Sequence, residues 1–588
     1  MKKIIGGVML TIMAIFTLAS CGGGEEGKYD TKVLTAYSGK KAIGKMELRF
    51  YENTPNVPYV GISQYLDEFT SGQIDEYKTN TIYKYAKNEN SYMMIDSATN
   101  ILVTRDLMGV IGVDDTGVGN IFLKRTNRVS TKSSDFLIDL DDYGIEVYGA
   151  KNDCYVPFAF ANSLIVGETN TLITYNGDAI YVYTDATDGD TYGEVYYRHL
   201  NSSEERSEDV IKYNYNLLCF SFDKLRGYTS QMEFVDFNIV SMGLDGTLTT
   251  YYPKIKELLM SKSHSDYKMG LYALFFGLYD GGHTVLMPNN YYNLTDQEME
   301  KMGDMDGISD LLNNFAAKQL VSGINIPGAT KIKAFGDAVS FVDSDGKTKA
   351  KPFYYYFDNQ NKIAYIAFDN FVTNYDEWKN YYAGDKNALN LLEREDSYAF
   401  VLSSLKRAKT DGAKNVVFDF TTNAGGDLNS LLGIFGIING AKTEYTFNYI
   451  PERRRTSATY DVDVNLDGKF DEADVTLANE LKKAYKVSIL TSEKAFSCGN
   501  LMPSKMKDAG FTVIGQKSGG GSCVIRKDAT VDGMPYYRSG SLTLSNKRGE
   551  NIDGGVPVDF PILDENGNLD CEKAFNTTFV SNYLNSLK

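Results

Sequence analysis

The chain has 588 residues, 43% hydrophobic and 23% charged, a composition that fits a folded globular protein and excludes a disordered, collagen-like or disulfide-scaffold chain. Its 77 acids outweigh 60 bases for a net charge of −17, a surface that repels a phosphate backbone, so no nucleic-acid partner is expected. At roughly 100–200 residues per domain, this length predicts several units.

The N-terminus reads as an export signal: Lys2 and Lys3 precede an uncharged, largely apolar run from Ile4 to Ser20. Leu18-Ala19-Ser20-Cys21 resembles a bacterial lipobox. Residues 1–20 are therefore expected to be removed and Cys21 lipidated, anchoring the protein to a bacterial membrane outside the cytoplasm, at the cell surface or in the periplasm. No second apolar run approaches the ~20 residues a span needs. Gly22 to Lys28 reads as a flexible tether.

Residues 21–200 are predicted to form β-rich modules, with short alternating runs such as Lys45–Tyr51 and Asn100–Thr104 broken by Asn, Asp and Gly. Val57-Pro58-Tyr59 and Val156-Pro157-Phe158 each precede an apolar run and suggest two related copies. Over 205–350 the spacing turns helical, as in Tyr213–Leu225 and Ile255–Met260, and this connector carries His283. Over 351–588 the strand-like runs Ile363–Asp369, Val416–Phe420, Val487–Leu490 and Phe511–Ile514 alternate with the helical runs Tyr398–Ala408, Leu428–Ile438 and Leu501–Asp508. That alternation predicts βαβ crossovers and a mostly parallel sheet. The expected fold class is multidomain: N-terminal β-rich modules, a helical region and a C-terminal α/β core.

Two strand ends carry the chemistry. One leads into Thr421-Thr422-Asn423-Ala424-Gly425-Gly426-Asp427, and the other into Phe496-Ser497-Cys498-Gly499-Asn500 at the start of a helix. A hydroxyl at a helix N-terminus facing a glycine turn is how a nucleophile is set beside an oxyanion hole, although serine is also a common helix cap.

These two segments, together with Gly515-Gln516-Lys517-Ser518-Gly519-Gly520-Gly521 and Gly555-Val556-Pro557-Val558-Asp559, resemble in order and spacing the C-terminal-processing and tricorn-type serine peptidases. The resemblance implies a crotonase-like core over 351–588 and an acyl-enzyme endopeptidase acting on unfolded or extracytoplasmic polypeptide without a catalytic cofactor. It makes Ser497 the nucleophile and assigns the oxyanion to the N–H groups of Cys498 and of Gly425 or Gly426. Position 522, where the processing branch carries a lysine base, is Ser, with Lys517 nearby. His283 in Asp280-Gly281-Gly282-His283-Thr284 fits the histidine base of the tricorn branch, with Glu550 or Asp553 as the acid. His199 and His264 are expected at the surface. The family's usual Arg between Asp419 and Asn423 is absent, Asn500 stands where an acid is common, and no PDZ-type carboxylate-binding loop is recognisable over 285–360. A rival reading is a non-catalytic peptide-binding lipoprotein on the same fold.

A separate motif lies at 461–475. Asp463, Asn465, Asp467, Asp471 and Asp474 occupy positions 1, 3, 5, 9 and 12 of a calcium loop, with Gly468 at position 6 and the carbonyl of Lys469 at position 7. Structural calcium is expected there, ordering an insertion in the core. Besides Cys21 there are five cysteines and no CxxC pair; whether Cys498 and Cys523 are bridged stays open.

Overall fold

The computed structural model describes residues 27–69, 74–112, 121–168, 171–183, 203–225, 227, 229, 232–287, 292–323 and 326–586. The export segment, Cys21 and His199 lie outside them. Among the described residues no helix is long and apolar enough to cross a membrane.

The N-terminal region is β-rich. One sheet of seven strands includes the long hairpin Tyr29–Ser38 and Lys41–Tyr51, and a second of five runs from Asp75–Thr79 to Phe136–Asp139. Val57-Pro58 leads into the strand Tyr59–Gly61, which is antiparallel to the strand Cys154–Pro157 that contains the second Val-Pro pair, with Val60 opposite Val156. Each strand leads directly into a helix, Ile62–Phe69 or Phe158–Leu164. The helices that follow include Glu208–Lys224, Pro253–Leu259 and α1 (His264–Gly277), packed around Leu218, Phe222, Leu248, Leu271 and Leu274.

After α2 (Ile326–Phe335) the chain builds a six-stranded sheet in sequence order: β1 (Phe353–Asp358), β2 (Ile363–Phe368), β3 (Asn415–Phe420), β4 (Lys486–Thr491), β5 (Thr512–Gly515) and β6 (Phe560–Pro561). β1 is antiparallel to β2 and every other pairing is parallel. All residues of β2 and β3 are buried, because helices cover both faces of such a sheet. The crossover helices are α3 (Ser397–Asp411), α4 (Leu428–Ile438) and α5 (Cys498–Asp508). Asp396 caps α3 by accepting from the Ala399 N–H, and Gly412 ends it at φ +76°.

A second sheet brings distant segments to this core. Its strands run in the order Val285–Leu286, Pro535–Ser545, Lys442–Tyr449, Arg454–Val462 and Leu123–Ser130, with Cys523–Ala529 also paired to Pro535–Ser545. Leu123–Ser130 comes from the N-terminal β-rich segment. Val285 pairs with Tyr537, which ties the His283 turn to the core. A buried ion pair, Arg538 to Asp528 at 3.2 Å, sits where the three regions meet. Asp528 also accepts from Ser163 on Phe158–Leu164 (2.6 Å) and Ser221 on Glu208–Lys224 (3.1 Å).

Candidate active site

β3 and β4 are parallel neighbours, so their C-terminal ends open on the same side of the sheet. Beyond β3 the chain cannot continue straight, since Gly425 and Gly426 hold φ of +105° and +121°, conformations that a side chain disfavours. The turn is clipped to Phe371, whose N–H donates to the Gly425 carbonyl (2.7 Å) and whose carbonyl accepts from Asp427 (2.8 Å). Asp427 then caps α4 through the N–H groups of Asn429 and Ser430.

Beyond β4 the chain approaches this turn. The Phe496 N–H donates to the Asn423 carbonyl (3.1 Å) and the Ser497 N–H to the Gly520 carbonyl (2.9 Å). Ser497 has φ 56° and ψ −121°, an uncommon backbone conformation for a residue with a side chain, and stands immediately before α5. A Cβ placed on Gly425 would lie 2.6 Å from Ser497 Cβ, 2.8 Å from the Phe496 carbonyl and 3.0 Å from the Cys498 nitrogen. The glycine turn and the serine are therefore in contact, beside the positive end of α5, whose first N–H groups have no acceptor within the helix. The N–H of Gly425 donates to Asn423 Oδ1 at 3.0 Å. Burial pushes the Cys498 thiol up, so it stays protonated.

His283 reaches this site from the turn after α1. It is 5% exposed, and its ring packs against that of Phe496 with centroids 4.8 Å apart. Burial pulls the imidazole down to about 4, against the Asp553 charge and a bond to the Cys523 backbone, which both favour the protonated ring. It is neutral at pH 7, and Nδ1 has no hydrogen-bond partner. The two candidate acids differ in position. Asp553 is buried, close enough for its charge to act on His283, and accepts from the Ser522 N–H (3.1 Å) and Oγ (3.3 Å). Glu550 is exposed, with Asn546 and Arg548 as side-chain donors. Lys517 is exposed and His264 half-buried at the start of α1.

Several residues of the sequence motifs act as supports, a role their spacing did not reveal. Asn423 is fully buried, donates to the Phe368 carbonyl on β2 (2.7 Å) and accepts from Gly425, so it joins two strands to the turn. Asn500 donates to the Ile552 carbonyl (2.9 Å) and accepts from Ser518 (2.6 Å), whose oxygen accepts from the Val556 N–H (2.7 Å). That chain ties α5 to the loop bearing Asp553. Asp280 accepts from Thr284 and from Ser539 (2.5 Å), fastening the His283 turn to Pro535–Ser545; burial pushes its carboxyl up to about 6.

The 461–475 loop folds around its own carboxylates. Asp463 accepts from the N–H groups of Asp467 and Gly468, Asp474 from those of Val464, Asn465 and Asp471, Asn465 and Asp467 from Asp467 and Lys469, and Asp471 from Ala473. Among the described residues no three carboxylate, imidazole or thiol groups are placed to hold a metal. Asp463 and Asp474 are nonetheless buried together; burial, with the Asp474 charge adding to it, holds the Asp463 carboxyl above its ordinary value despite bonds from Tyr382 and Gly468. Cys154, Cys219, Cys498, Cys523 and Cys571 are all free, so Cys498 and Cys523 are not bridged.

The profile of peptidase family S41 matches residues 362–562, from the start of β2 to just beyond β6. No curated protein matches the chain. Among solved structures it is similar to a protein from Parabacteroides merdae described as a peptidase, at 14% identity and a TM-score of 0.38, covering 65% of this chain and 96% of that one. It is also similar to mature CPAF, at 11% identity and a TM-score of 0.34, covering 64% of this chain and 96% of that one. A third is the photosystem II D1 C-terminal processing protease, at 13% identity and a TM-score of 0.28, covering 41% and 56%. Residues 362–562 thus carry the match to peptidase family S41, a family of serine peptidases.

Proposed function

We propose that the protein is an exported, lipid-anchored serine endopeptidase that cleaves unfolded or extracytoplasmic polypeptide, with Ser497 as nucleophile, His283 as base and Asp553 as the acid. The contact between Gly425 and Ser497 at the N-terminus of α5 carries this reading. Ser497 Oγ attacks the substrate carbonyl carbon while its proton passes to neutral His283, whose low proton affinity keeps the lone pair available. The developing oxyanion takes the N–H groups of Cys498 and Gly426, since that of Gly425 is given to Asn423. The C–N bond breaks as His283 returns the proton to the leaving amine, and water then enters by the same proton route to hydrolyse the acyl-serine. Asp553 holds positive charge on the imidazole as it forms.

Two further assignments belong to this reading. Lipid on Cys21 holds the mature protein at a membrane; two or more acyl chains attach stably where one is marginal. Asp463, Asn465, Asp467, the Lys469 carbonyl, Asp471 and Asp474 would hold calcium in the 461–475 loop, where the ion would order the insertion. The buried, mutually repelling pair Asp463 and Asp474 supports a cation there.

Turnover of an unfolded polypeptide library tests the proposal. Wild-type protein should cleave it; Ser497→Ala and His283→Ala should be folded and lower the rate by several orders of magnitude. Cys498→Ala should keep most activity. Wild-type turnover equal to that of Ser497→Ala would leave the non-catalytic peptide-binding reading in its place.

A further inference from the structure

The catalytic turn rests on a buried cation from outside the crossover unit that contains it. Lys331 is on α2, ahead of the first strand of the catalytic sheet, and is 1% exposed. Its Nζ is 2.9 Å from Asp419 Oδ2, near the C-terminal end of β3, and donates to Thr422 Oγ1 at 3.1 Å. Tyr354 donates to the same Asp419 oxygen at 2.5 Å, while the other oxygen accepts from Thr421 N–H (3.0 Å) and Oγ1 (2.7 Å). Thr422 Oγ1 donates onward to Asp369 at 2.6 Å, and the Asp369 carbonyl accepts from Ala424 N–H at 2.9 Å. Every residue from Asp419 to Thr422 except Phe420 thus touches this network through its side chain, and Ala424 touches it through its backbone.

We infer that Lys331 is a positioning residue for catalysis: it bridges Asp419 and Thr422 beneath the turn and so fixes where Gly425 meets Ser497. This rests on the peptidase reading above. Two carboxylates so close repel one another, and Lys331 supplies the charge between them. Burial raises the Asp369 carboxyl, Lys331 and Thr422 lower it, and Asp419 raises it. An ammonium this deeply buried is costly unless fully partnered; its hydrogen-bonding partners here are two side chains of the segment that leads into the turn, and it also lies over the rings of Tyr354 and Phe575. The turn can shift as a unit only if these bonds break. A shift of about 1 Å in such a site costs about 100-fold in rate when the reacting geometry is lost.

The test uses the full mature chain with Lys331→Met, Lys331→Arg and Thr422→Val, the last removing only the bridging hydroxyl. Three quantities are read: melting temperature, amide hydrogen exchange over 421–427, and kcat and KM on a fluorogenic peptide. Lys331→Met should speed exchange over 421–427 and lower kcat at least about tenfold with KM within about threefold, while Lys331→Arg recovers most of the loss. Thr422→Val should act in the same direction, and it decides the matter if Lys331→Met does not fold. A folded variant with unchanged exchange in the turn, or with unchanged kcat beside an active wild type, overturns the inference. Faster exchange in a protein whose wild type has no turnover overturns the peptidase reading and, with it, the catalytic part of the inference, leaving Lys331 only as the support of the turn.

Discussion

Replacing Gly425 by alanine should abolish catalysis while leaving most of the protein folded. The new Cβ would sit 2.6 Å from Ser497 Cβ and 3.0 Å from the Cys498 nitrogen. Carbon atoms prefer a separation of about 3.5–4.0 Å, so either the serine or the turn must move by about 1 Å. Neither can yield by a rotamer change, because the atoms met are a Cβ, a carbonyl oxygen and a backbone nitrogen. The φ of +105° adds strain of ~1–3 kcal/mol for alanine, felt as a lower melting temperature. Displacing one oxyanion donor costs ~2.7–4 kcal/mol, a drop of about 100- to 1,000-fold in kcat. Gly44→Ala, where an added methyl meets nothing within 4 Å, is the matched control. Both variants would be compared by kcat on a fluorogenic peptide and by thermal unfolding. A Gly425→Ala protein within about threefold of wild type in kcat would refute the contact as the basis of the site, since even one lost donor costs far more.

The pH profile should reflect the depressed His283. An active neutral imidazole titrating near 4 rather than 6.5 puts the acid limb of kcat/KM well below pH 6, and Asp553→Asn, which removes a charge that raises His283, should move it lower still. Asp280, held up to about 6, titrates in the same window; a limb that stays low in Asp280→Asn belongs to the imidazole. His283 also links to stability: between about pH 4 and 6.5 the unfolded chain binds more protons there, so its contribution is present above 6.5 and lost as pH falls through this range. Glu550→Gln should leave kcat within about twofold, because the side chain is a surface partner of Arg548 and surface changes of this kind are small. Chelating calcium should lower the melting temperature, and Asp463→Ala should abolish that dependence; a melting curve indifferent to chelator and to added calcium leaves the loop an acidic turn.

The four inner strands of the six-stranded sheet were legible because they are almost wholly buried and read as apolar runs. Ile363–Phe368, Asn415–Phe420, Lys486–Thr491 and Thr512–Gly515 appear within a residue of the predicted runs, and Leu428–Ile438 matches at both ends. The predicted fold class stands, and so does the S41 resemblance, which drew on glycines and small residues at strand ends. Periodicity could not show that Leu123–Ser130 leaves its neighbours in the β-rich segment to pair with Arg454–Val462, since a pairing across more than 300 residues leaves no local pattern. It could not find Lys331 either: a single lysine on a short helix looks like any solvated charge until Asp419 is brought to it. The choice between Glu550 and Asp553 was open in sequence because both precede the same Gly-Val-Pro turn. Folding separates them, burying Asp553 beside Ser522 and leaving Glu550 in solvent.

The most direct measurement is covalent labelling of the native protein by a fluorophosphonate, followed by mass mapping of the modified peptide. Phosphonylation requires an activated hydroxyl and a place for the phosphoryl oxygen, the two things expected where Ser497 meets Gly425. A single adduct on Ser497 is expected, absent in Ser497→Ala, slowed at least about 100-fold in Gly425→Ala and unaffected by Cys498→Ala. A wild-type protein that stays unlabelled, or an adduct that persists in Ser497→Ala, would contradict it.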